Sequence, residues 1–136
     1  MTFVVAFDGS PLAEAALRRG VELGDAVGEP VVAVSVVPKD SLYARQHGWV
    51  EDERAYDPAE QAERLRQRVA DLAPEAEFRA EELRGNATQR DVAKQIRRAA
   101  YDLEATVVVI GSENAGRVFS PISSVGNTVA SSEKYD

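Results

Sequence analysis

Residues 3–28 read FVVAFDGSPLAEAALRRGVELGDAVG. Phe3 to Phe7 form a short, continuous apolar run, the pattern of a strand buried on both faces. Asp8, Gly9 and Ser10 stop it. Ser10 is a good helix N-cap, and Pro11 suits the first helical position, where its missing N–H costs nothing. Leu12, Ala16, Val21 and Leu23 then recur at roughly helical spacing, so a helix starts at once, with Gly24 or Gly28 as its end. A buried strand that feeds a helix through a tight polar turn is the repeating unit of an α/β fold.

The alternation continues along the chain. PVVAVSVVP (30–38) is a second apolar strand, stopped by Pro38. Residues 39–57 show no clear period, hold the only His (His47) and the only Trp (Trp49), and read as a long mobile connection. DPAEQAERLRQRVADLA (57–73) repeats the Asp-Pro helix start, with Leu65, Val69 and Leu72 on one face. EAEFRAEEL (75–83) alternates weakly, as a half-exposed edge strand does. A further helix follows in 85–105, with Thr88 as its cap and Val92, Ile96, Ala99, Ala100 and Leu103 inside. TVVVIG (106–111) is the fourth strand, and a last helix is expected between Pro121 and Ser132.

The chain has 136 residues, enough for one domain over 1–136 with a single core. It is 44% hydrophobic and 29% charged, the balance of a globular protein. Its net charge of −7 opposes long-range attraction to nucleic acid, but backbone donors and a metal can override so diffuse a field at a small nucleotide site. Cysteine is absent, which removes disulfides, thiolate catalysis and zinc–sulfur sites. No apolar run approaches the ~20 residues of a membrane span, and the start lacks a basic leader, so no membrane partner and a cytoplasmic location are expected.

In a parallel sheet, ligands gather beyond the carboxyl ends of the strands. Asp8-Gly9-Ser10, the end of the second strand, and the glycine-bearing stretch from Gly111 all fall there. Asp8 reads both as a turn residue that caps the next helix and as a carboxylate facing a ribose or a metal-bound phosphate. The segment GSENAGRV (111–118) spaces its glycines like a Walker A loop, but Arg117 and Val118 stand where Lys and Ser/Thr are needed, so that reading fails. The GxGxxG spacing of a dinucleotide fold is missing as well. A lone His47 cannot build a histidine metal cluster and reads as exposed. VEDERAYDPAE (50–60) reads as a solvated surface, and neither Ser10 nor Ser112 has a candidate base beside it.

Three stretches taken in order, VVAFDGSPLAEAAL (4–17), VSVVP (34–38) and EATVVVIGS (104–112), resemble the universal stress protein family over nearly the whole chain. The resemblance implies an open parallel sheet flanked by helices, with strand order 3-2-1-4 here. The family's fifth strand, which commonly pairs across a dimer, is expected to be missing from this chain, and a homodimer of reduced stability is expected. One branch of the family binds ATP through a glycine, two residues, a glycine, nine residues, and a glycine followed by Ser or Thr. Read from Gly111, this pattern meets Asn114, Ser124 and Val125. Read from Gly116, it keeps Gly126 and puts Asn127 at the hydroxyl position, at the cost of two extra residues after Gly111. The second register retains all three glycines.

On that resemblance, Asp8 would approach the ribose or metal and Val37 would meet the adenine through its backbone. Gly111, Gly116, Gly126 and Asn127 would hold the phosphates, with Mg or Mn accompanying ATP. An adenine-nucleotide-binding stress or signalling module is the first expectation, and a dimerising interaction module without nucleotide is the second. As an enzyme it would be at most a slow ATPase, since no evident base activates water.

Overall fold

The computed structural model describes residues 2–111. Gly116, Gly126, Asn127 and the helix expected between Pro121 and Ser132 lie outside the described residues. In chain order the elements are β1 (Thr2–Ala6), α1 (Pro11–Val27), β2 (Val31–Pro38), α2 (Ser41–Gln46), a 3-10 turn (Glu53–Ala55), α3 (Pro58–Leu72), β3 (Glu77–Leu83), α4 (Gln89–Asp102) and β4 (Ala105–Val109). The four strands form one sheet in the order β3-β2-β1-β4, and each adjacent pair is parallel. This is the expected order, with β3 as the half-exposed edge strand.

The sheet is buried on two faces by different helices. One face joins Phe3, Val5, Val31, Ala33 and Val37 to residues of α1 and α3. The other joins Val4, Val32, Val34 and Val108 to Ala99 and Ala100 of α4. Successive strand residues point to opposite faces, so an unbroken apolar run feeds both cores at once.

Helix α1 shows what fixes its distance from the sheet. Its inner stripe is Ala13, Ala16, Leu17, Gly20, Val21 and Gly24, while Leu12 is exposed. Gly24 therefore lies inside the helix rather than ending it. A Cβ on Gly24 would come 2.6 Å from Val31 Cγ2 and 2.9 Å from Glu29 O, and one on Gly20 would come 2.7 Å from Val5 Cγ2. The helix ends at Gly28, whose φ of 72° is the left-handed conformation of a C-cap.

The long stretch after β2 is ordered, contrary to the mobile connection expected there. Asp40 caps α2, accepting from the N–H groups of Leu42 and Tyr43, and its other carboxylate oxygen accepts from Ala87 N–H across the β3–α4 loop at 2.9 Å. Those three donors hold the Asp40 carboxyl below the usual carboxylate range, with Ala87 the largest cause. His47 stacks on Tyr43 with ring centroids 3.8 Å apart, and Trp49 meets Tyr43 edge-on. The Tyr56 hydroxyl donates to Pro38 O at 2.6 Å. These are side-chain contacts, invisible to a search for hydrophobic period.

Candidate functional site

The site starts where β1 ends. Phe7 N–H donates to Val34 O at 2.9 Å, the last rung between β1 and β2. Fully buried Ser35 donates its hydroxyl to Phe7 O at 2.6 Å, locking the strand end. The chain then turns through Gly9, whose φ is 82°, a conformation that favours glycine. Asp8 Oδ1 accepts from Ser10 N–H at 2.9 Å, and Ser10 Oγ accepts from Ala13 N–H at 3.1 Å to cap α1. Trp49 Nε1–H donates to Asp8 O at 3.1 Å. The carboxylate is thus held, exposed, at the N-terminus of a seventeen-residue helix, whose first turn carries positive partial charge.

β2 runs on past β1, and this overhang decides which backbone groups are available. A strand residue presents its N–H and C=O to the same side, and neighbouring residues alternate sides. Val34 O faces β1, whereas Lys39 N–H donates to the O of Leu83, the last residue of β3. Val36 therefore shows its backbone to the space beyond the end of β1, and Val37 shows its backbone to β3. Val37 is 2% exposed and packs in the core with α1 and α3. Val36, not Val37, lines the crevice.

That crevice has a volume of about 120 Å³ and joins the tips of three strands. Asp8 follows β1, Val36 belongs to β2, Gly111 follows β4, and Val92 and Ile96 of α4 form the apolar wall with Tyr43 above. Burial, with the Asp8 charge beside it, pushes the Tyr43 phenol up to about 12. Gly111 has its own packing reason to be glycine. A Cβ there would lie 2.6 Å from Leu12 C, 2.7 Å from Leu12 O and 2.8 Å from Ala13 N. Gly111 thus sits against the first turn of α1, beside the donors at the head of that helix.

Of the residues singled out in the sequence, the structure brings Asp8 and Gly111 together and puts Val37 on the opposite face. Gly116, Gly126 and Asn127 lie outside the described residues. Val36 lies in the strand end expected at the site, although Val37 was singled out in its place; Tyr43, Val92 and Ile96 were not expected to line it. The overhang of β2 could have been suspected, because its apolar run is longer than that of β1; the parity that selects Val36 requires the register. Among the described residues no group of three or more His, Cys, Asp or Glu side chains is placed to hold a metal ion. No described helix is long and apolar enough to cross a membrane.

The profile described as the universal stress protein family matches residues 1–132. No curated protein matches the chain. Among solved structures, a universal stress protein in complex with cAMP aligns with a TM-score of 0.60 at 20% identity, covering 100% of this chain and 93% of its own. The universal stress protein from Archaeoglobus fulgidus in complex with dAMP aligns with a TM-score of 0.59 at 25% identity, covering 96% and 89%. A family protein from Burkholderia pseudomallei aligns with a TM-score of 0.58 at 22% identity, covering 96% and 87%. These likenesses agree with the sheet order and layering described above.

Proposed function

The chain belongs to the universal stress protein family, and from that premise we propose that it binds an adenine nucleotide in the crevice over β1, β2 and β4, as a stress-response or signalling module. The observation that carries this reading is the convergence of Asp8, Val36 and Gly111 on one crevice with apolar walls. The Val36 N–H and C=O lie side by side, a donor and an acceptor that match the donor–acceptor edge of adenine. Val92 and Ile96 suit the faces of a flat base. The Asp8 carboxylate can accept from ribose hydroxyls. A crevice of 120 Å³ equals about four water volumes. That suits a base, and leaves ribose and phosphates to extend outward past the head of α1. By family resemblance Gly116, Gly126 and Asn127 would meet the phosphates there. Solved relatives in complex with cAMP and dAMP support the adenine class.

Mg or Mn would arrive with ATP, neutralising phosphate charge, with Asp8 the carboxylate among the described residues that lines the crevice. Turnover is at most that of a slow ATPase.

One observation favours a second reading, a dimerising interaction module without nucleotide. The glycine at 111 is already required by its contact with Leu12 and Ala13, so it is no sign of a phosphate.

Calorimetry with AMP, cAMP, ADP and ATP, with magnesium present, separates the two readings. Binding that Asp8→Ala weakens by about tenfold or more supports the first, since a hydrogen bond to a charged group contributes about 1.5–3 kcal/mol. Absence of heat with every nucleotide at millimolar concentration leaves the second.

A further inference from the structure

A larger cleft opens on the other side of the Asp8 turn, over the face covered by α1 and α3. Its volume is about 940 Å³, within the range of small-molecule sites. Its walls are the start of α1, the segment 47–55, and the first half of α3. Asp8 and Ser10 border both openings. The proposed nucleotide site uses the Val36 side and leaves this cleft without a role.

Three features define its chemistry. The rim carries the carboxylates of Asp8, Glu51 and Asp52. Asp52 is paired with Arg54, but Asp8 and Glu51 have no ion-pair partner among the described residues. The cation of that wall, Arg64, is already held by Glu60 and by Gln61 Oε1. The second feature is Gln61 itself, which is 6% exposed and lines the cleft. Its Oε1 accepts from Arg64 at 3.3 Å, and its Nε2 has no hydrogen-bond partner among the described residues. A buried amide donor left unmade is costly, and a ligand oxygen would satisfy it. The third is the indole of Trp49, a partly buried aromatic wall tied to Asp8 O.

The rim carboxylates are not grouped to hold a metal ion. A cation that serves more than one of them needs several donors, and an aromatic wall suits a flat one. The guanidinium group meets both conditions, with five N–H donors in a rigid planar fork that stacks on aromatic rings. We propose that this cleft binds a guanidinium compound of the arginine type. Its guanidinium would be held by Asp8 and Glu51 against Trp49, and its carboxylate or amide oxygen would accept from Gln61 Nε2. Asp8 is shared with the proposed nucleotide site, so a bound nucleotide would compete for it.

The test uses the full chain without nucleotide, following Trp49 fluorescence and calorimetric heat. The probes are L-arginine, L-lysine, L-citrulline and a capped tripeptide with a central arginine. Saturable binding of L-arginine at millimolar or lower concentration is expected, with citrulline at least tenfold weaker for want of charge. Lysine should be about threefold or more weaker, because a compact ammonium lacks the planar fork of donors and stacks less well on an indole. Glu51→Gln should weaken arginine about threefold, the scale of an exposed charge pair. Gln61→Leu should weaken it further, and should leave the circular dichroism spectrum unchanged. If the capped tripeptide binds tighter than free arginine, the guanidinium comes from a peptide; if weaker, from a free metabolite. Equal binding of citrulline and arginine overturns the proposal. So does an arginine affinity untouched by Glu51→Gln, or no saturation by any probe.

Discussion

The two faces of the sheet are built to different tolerances. On the α1 side, Leu17 is fully buried and two glycines let the helix backbone press onto Val5 and Val31. On the α4 side, only Ala99 and Ala100 of the helix are buried, and Val92, Ile96 and Leu103 are partly exposed. The side with the closer packing fixes the Asp8 turn at the head of α1. The looser side supplies the apolar wall of the crevice through the partly exposed Val92 and Ile96. A rigid scaffold on one face and an accessible wall on the other is the division of labour expected at a binding site.

The largest effect should come from truncating one side chain on each face. Leu17→Ala removes a side chain at 0% exposure and should cost about 3 kcal/mol. Ile96→Ala, on the partly exposed wall, should cost about 1 kcal/mol, because less area is lost from burial. Urea unfolding of both variants measures the contrast. Equal losses would mean that the two faces are equally packed.

The tip that joins the faces can be probed by pH. Burial pushes the phenols of Tyr43 and Tyr56 up to about 12. A phenol whose pKa rises on folding favours the folded state only while it stays neutral. That contribution is complete below the unfolded value, about 10, and is lost as pH climbs towards 12. For Tyr43, at 7% exposure, a shift of this size corresponds to about 3 kcal/mol. Stability should therefore fall between pH 10 and 12, and Tyr43→Phe should flatten that fall. An unchanged alkaline slope in Tyr43→Phe would show that the tip opens before the rest unfolds.

A smaller effect is expected at Gly24. An added methyl meets Val31 Cγ2 and the Glu29 carbonyl, which is backbone and cannot turn away. Overpacking costs about 1–3 kcal/mol, and the better helix propensity of alanine returns up to about 1 kcal/mol. Gly24→Ala should thus lose about 1–2 kcal/mol by thermal unfolding. A gain in stability would show that α1 can back away from the sheet.

Much of this fold can be read from the sequence, because its strands and helix starts are local. Asp8-Gly9-Ser10-Pro11 carries its own turn and cap, and the Thr88 cap of α4 is likewise a neighbour effect. What escaped reading depends on groups far apart in the chain. Gly24 looks like a helix end until Val31 is placed beneath it. The aromatic segment looks unstructured until Asp40 reaches Ala87 and Trp49 reaches Asp8. Val37 and Val36 are chemically identical neighbours, and only the overhang of β2 past β1 turns the backbone of Val36 to the crevice. A pattern of residue types cannot carry that parity.

The smallest effect bears most directly on the looser face. Helix α4 buries little, so its ends should matter more to it than the ends of α1 do. Its start is a capping box, in which Asp91 N–H donates to Thr88 Oγ1 at 3.1 Å and Thr88 N–H donates to Asp91 Oδ2 at 3.1 Å. Removing such a cap costs about 1 kcal/mol. In α1 a comparable loss at Ser10 is resisted by Leu17, Val21 and the two glycines packed downstream. In α4 the first turns hold Val92 and Ile96, the crevice wall, and nothing fully buried before Ala99. Thr88→Ala should therefore fray the wall before it unfolds the protein. Amide exchange from Val92 to Ile96 should speed up about fivefold, the equivalent of ~1 kcal/mol, while the amides of α1 keep their protection. Affinity for an adenine nucleotide should drop by a similar factor, because the wall must be re-formed on binding. A uniform rise in exchange across both helices would show instead that α4 unfolds only with the whole sheet, and that the two faces share one cooperative core.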